Sequence, residues 1–126
     1  MTPKQRSKRI LERIPGFVLG DPDQSLGGLT TATVFGAYHN DRLGGPEVVF
    51  TERGLIRLGD QPRTIEYTDI RSVVGQRDKD GRSGLELVFK SGETVQLVIT
   101  GGEGRFRDVF EIQRFLMRVV EDLDRP

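Results

Sequence analysis

From Arg105 onward, apolar residues recur at intervals of three and four: Phe106, Val109, Phe110, Ile112, Phe115, Leu116, Val119, Val120 and Leu123, with acids and arginines in the gaps. That period belongs to a helix with one apolar side, and it predicts a C-terminal amphipathic helix of about five turns. A stripe this wide has to be buried against something. The segments before it are short, closely spaced and joined by turn residues, with no room for crossover helices, so they read as antiparallel strands. The expected fold is therefore mainly β: an antiparallel barrel or curved sheet capped by the C-terminal helix.

The strands show themselves by composition and alternation. Leu29 to Tyr38 is rich in Thr, Val and aromatics, with Gly36 a candidate bulge. Glu47 to Thr51 and Leu55 to Leu58 flank Glu52-Arg53-Gly54, a hairpin turn in which Gly54 is available for positive φ. Thr64 to Val74 reads as one strand, with Ile65 and Tyr67 on the same face. Leu85, Leu87 and Phe89 share a face, and after Ser91-Gly92 so do Val95, Leu97 and Ile99.

At the other end of the chain, Pro3 to Ile14 reads as a short basic helix stopped by Pro15-Gly16. Lys4, Arg6, Lys8, Arg9 and Arg13 face a single Glu12, and Ile10, Leu11 and Ile14 form a narrow apolar edge. Residues 1–16 are thus expected as a basic extension, and residues 29–124 as the globular domain. A Gly-, Pro- and Asp-rich connector lies between them.

Charge and composition narrow the function classes. The chain of 126 residues carries 19 basic and 19 acidic side chains, so its net charge is zero. That balance argues against a generic nucleic-acid binder, which is normally basic. Residues 1–19 nevertheless carry net +4, and the rest of the chain net −4. With no Cys and one His, thiol chemistry is excluded and no His-rich metal cluster can form. No run of apolar residues reaches the length of a signal sequence or of a membrane span, which leads us to expect a cytoplasmic protein.

Val48-Val49-Phe50-Thr51-Glu52-Arg53-Gly54-Leu55-Ile56 and Ile65-Glu66-Tyr67-Thr68-Asp69-Ile70-Arg71-Ser72-Val73, followed by the helix around Phe110 to Leu116, resemble the strand, hairpin and helix pattern of bacterial pleckstrin-homology-like (PH-like and GRAM-like) domains. The likeness covers roughly residues 29–123. It implies a non-catalytic scaffold that binds proteins, peptides or lipid headgroups and often self-associates. Members that bind phosphoinositides concentrate Lys and Arg in a loop matching His39-Asn40-Asp41-Arg42-Leu43-Gly44-Gly45-Pro46, where this chain has one Arg and one Asp.

Few residue groups offer chemistry. His39 and Asp41 are the one imidazole–carboxylate neighbourhood, and adjacent loop residues need not converge as an acid–base pair must. Asp78 with Asp80, and Asp21 with Asp23, lack the ligand spacing of a calcium loop and read as turns. Gly101-Gly102-Glu103-Gly104 leads into the C-terminal helix, where free backbone N–H groups can hold an anion, with Arg105 and Arg107 assisting. The reading that follows is a non-enzymatic, cofactor-free module that binds a protein partner or another copy of itself. The basic N-terminal helix is expected to be solvated or docked on an acidic patch of its own body or of a neighbouring copy; the alternative is contact with an anionic membrane through Lys4, Arg6, Lys8, Arg9 and Arg13. A third reading is a small-ligand binder or enzyme using His39 or the 101–104 turn.

Overall fold

The computed structural model describes residues 2–14, 16–19, 32–39, 48–58, 62–77, 83–99 and 107–124. The basic helix α1 spans Pro3–Ile10 and continues as a 3-10 turn, Leu11–Arg13. Its start is a capping box: the Thr2 hydroxyl accepts from the Gln5 N–H, and the Gln5 side chain accepts from the Thr2 N–H. Pro3, with no N–H to satisfy, occupies the first turn.

Among the described residues eight strands follow: β1 (Phe17–Leu19), β2 (Val34–Tyr38), β3 (Val48–Thr51), β4 (Gly54–Arg57), β5 (Arg63–Glu66), β6 (Ile70–Arg77), β7 (Ser83–Phe89) and β8 (Thr94–Val98). The chain then enters α2, Arg107–Asp124. All pairings are antiparallel, and they form two sheets, ordered β1-β2-β3-β4-β5 and β6-β7-β8. A mainly β body with a long C-terminal helix and a short N-terminal one is therefore what the chain folds into.

Closure into a barrel is not what the described strands do. No ladder joins the two sheets; side chains bridge them instead. Arg57 Nη1 donates to the Gln96 carbonyl at 3.1 Å, and Arg63 pairs with Glu93 while lying over the Phe89 ring.

Other expectations need adjustment. Phe17-Val18-Leu19, too short to show a period, is a strand on the edge of the five-stranded sheet. The strand expected over 29–38 is seen over Val34–Tyr38, and its register shifts between Val34 and Gly36, where the bulge was expected. The single strand expected over 64–74 is broken by a 3-10 turn, Tyr67–Asp69, at which the chain passes from one sheet to the other. Tertiary bonds hold that break: the Tyr67 N–H donates to the Arg53 carbonyl, and its hydroxyl to the Thr51 carbonyl at 2.8 Å.

Gly54 does not have positive φ; among the described glycines only Gly92 does, at 93°, in the turn between β7 and β8. Close approach is what requires a glycine at position 54. A Cβ there would lie 2.0 Å from the Ile65 carbonyl oxygen on the neighbouring strand. Thr51 completes the turn, its hydroxyl accepting from the N–H groups of Arg53 and Gly54 and donating to the Gly54 carbonyl.

One core runs between the sheets and α2. Val109, Ile112, Phe115, Leu116 and Val119 are buried in it, as are Leu85, Leu87, Val95, Leu97 and Ile99. Ile10, Leu11 and Ile14 of the N-terminal segment belong to the same cluster. Phe115 is its centre, with ring centroids 5.5 Å from Phe50, 6.4 Å from Phe35 and 6.4 Å from Tyr67, all edge-on.

Complete burial of Tyr67, with Glu52 nearby, raises its hydroxyl well above the ordinary value of 10.0. The folded state therefore keeps this proton at pH values where the unfolded chain has lost it. The stabilisation is intact below pH 10.0 and is lost as pH rises from there through the folded value. Tyr67 alone should lower stability by about 1.4 kcal/mol per pH unit in that window. Urea midpoints of the native chain and Tyr67→Phe test it: the native chain should lose stability more steeply above pH 10.0. Equal slopes would contradict the assignment.

Candidate functional site

The basic residues singled out in α1 do not act as one group. Lys4, Lys8 and Arg9 are exposed, whereas Arg6 is partly buried and forks onto Asp122 of α2, with Nε and Nη2 at 2.8 and 2.9 Å from the two carboxylate oxygens. That bond holds the guanidinium more firmly charged than usual. The apolar edge that a membrane-binding helix would insert is already used, since Ile10, Leu11 and Ile14 are all buried in the core. The Arg13 and Arg107 side chains, and Arg105 with the 101–104 turn, lie outside the described residues. So do Asn40, Asp41 and both Asp-rich turns. His39 is described, and its N–H donates to the Gly16 carbonyl at 2.9 Å.

A cleft of about 310 Å³ opens where β5 meets the turn between β7 and β8, lined by Arg63, Ile65, Asp69, Phe89, Lys90 and Glu93 among others. Its charges are largely matched within the protein. Arg63 pairs with Glu93, Glu66 with Arg53 at 2.8 Å, and Lys90 lies 3.9 Å from Asp124. The cleft works as a seam tying the two sheets together. Among the described residues no three His, Asp or Glu are grouped as a metal site requires, and no helix is long and apolar enough to cross a membrane.

The feature that remains is the outer face of α2. The sequence pattern assigns Phe110 and Leu123 to the buried stripe, but they are 59% and 46% exposed. The helix is apolar over more of its circumference than one core can cover. Val109, Ile112, Leu116 and Val119 turn inward, leaving Phe110 and, seven residues on, Met117 along the middle of the opposite face. On one side this face is bounded by β6, whose Val73 carbonyl accepts from Gln113 Nε2 at 3.0 Å. Toward the C-terminal end of the helix, α1 bounds the other side through Arg6 and Asp122. Charges frame the apolar pair: Glu111 with Arg114 at 3.7 Å, and Arg118 with Glu121 at 3.4 Å.

Sequence reasoning missed this face because it counted Phe110 with the core. The available signal was an apolar arc wider than a single buried stripe. Compared with known proteins, the chain matches no protein-family model and no curated protein.

Proposed function

We propose that the chain is a non-catalytic, PH-like binding module of the cytoplasm whose partners are proteins. The order of its elements, short antiparallel strands followed by one long helix, supports the family likeness. One observation carries the binding reading: Phe110, a large aromatic, stands 59% exposed in a frame of paired charges beside an edge strand. Aromatic anchors surrounded by a polar rim are how protein interfaces concentrate their affinity. A photo-crosslinking amino acid at position 110, activated in cells, tests the reading. Adducts with protein are expected; adducts confined to lipid would overturn it.

A second reading, contact with an anionic membrane, is favoured by the outward Lys4, Lys8 and Arg9. Since the apolar edge of α1 is buried, such contact would be purely electrostatic, about 1 kcal/mol per cation near the surface. Co-sedimentation with phosphatidylserine vesicles at low salt should then occur and disappear at high salt or in Lys4→Glu/Lys8→Glu. No sedimentation at low salt ends this reading.

A further inference from the structure

We propose that the protein reading its outer α2 face is a second copy of itself, bound helix to helix in antiparallel orientation. The inference rests on the protein-binding reading above and names the partner. Its argument is the symmetry of the residues on that face. Phe110 and Met117 are seven residues apart along the middle, and Glu111 and Arg118 are seven apart along one flank. When two such helices lie antiparallel with the two-fold axis level with Arg114, both spacings become cross-pairs at once. Phe110 of each copy meets Met117 of the other, a ring-to-thioether contact. Glu111 of each copy, a mostly buried side chain whose Oε2 has no hydrogen-bond partner among the described residues, comes level with Arg118 of the other.

The face is thus complementary to itself, as an isologous interface has to be. A parallel two-fold arrangement would carry that flank of each helix to opposite sides of the pair, and Glu111 and Arg118 would not meet. The helix is long enough for the contact, about 27 Å over its 18 residues. The two Arg114 side chains come together at the axis, each paired within its own helix to Glu111. They are a repulsive element, and they give the arrangement a signature of its own: Arg114→Leu should tighten the pairing.

Sedimentation equilibrium on the full chain, from micromolar to millimolar, tests the proposal. The native protein should approach twice 14.1 kDa. Phe110→Glu, at an exposed position, should keep its helical circular dichroism while weakening the dimer by about thirtyfold or more. Glu111→Arg and Arg118→Glu should each be monomeric alone and dimerise when mixed, because mixing restores both charge pairs. Glu111 is partly buried, so thermal melting confirms that each variant is folded before it is scored. A native chain that stays monomeric overturns self-pairing while leaving the protein-binding reading standing; that reading fails separately, in the crosslinking result. A dimer indifferent to Phe110→Glu, or folded charge variants that do not recover on mixing, overturns the antiparallel arrangement.

Discussion

Phe115→Ala is expected to destabilise the protein by about 3–5 kcal/mol, the usual range for deleting a fully buried phenylalanine. A domain of this size has a total of only about 5–15 kcal/mol, so much of its margin would go. The site is unforgiving because the ring is shared. Phe35 and Phe50 come from the five-stranded sheet, Tyr67 from the turn between the sheets, and Phe115 touches all three. These neighbours belong to different elements and cannot all move inward, which leaves a cavity. The urea midpoint should fall sharply with an unchanged slope. Phe110→Ala, five residues away on the same helix, should change the stability of the monomer, measured at low protein concentration, by about 0.5 kcal/mol or less, since that side chain is mostly in solvent there. Similar losses at the two positions would refute the placement of α2.

Tyr38→Phe should cost about 3 kcal/mol although it removes a single oxygen. The Tyr38 hydroxyl donates to Asp108 Oδ2 at 2.6 Å, both residues are buried, and Asp108 Oδ1 has no hydrogen-bond partner among the described residues. Among the described residues, the carboxylate without that hydroxyl keeps the favourable field of the α2 N-terminus, where it sits in the first turn. A buried charge stripped of its donor costs more than the net worth of the bond that held it. The same change in an Asp108→Asn background should cost about 1 kcal/mol, because the group left behind is then neutral. A double-mutant cycle on the urea midpoints measures the difference. Equal costs in the two backgrounds would show that the carboxylate is not charged, or not confined.

What could be read from the sequence is what local periodicity controls. Leu85, Leu87 and Phe89, then Val95, Leu97 and Ile99, alternate because one face of each strand is buried, and all six are core residues. The length and place of α2 follow from its three-and-four spacing. The missed features depend on distant partners. The break at Tyr67 depends on acceptors at Thr51 and Arg53, and the need for glycine at position 54 depends on a carbonyl on another strand. At the candidate site, the charge of α1 was legible, and docking of that helix on its own body was one expectation for it; that Ile10, Leu11 and Ile14 make the dock was not, since nothing local distinguishes a docked apolar edge from a free one. Phe110 was misplaced for the opposite reason. A helical period says which residues share an arc but not how much of that arc the sheets can cover.

The place of Phe115 in the chain bears on how the protein is made. The aromatic residues that surround it, Phe35, Phe50 and Tyr67, leave the ribosome well before α2 does. Until that helix emerges, the growing polypeptide carries hairpins with their greasy surfaces uncovered and edges open to other strands, the condition in which nascent chains aggregate or recruit chaperones. Truncation within α2 would leave the polypeptide in that state permanently, so shortened products should be found in inclusion bodies or degraded.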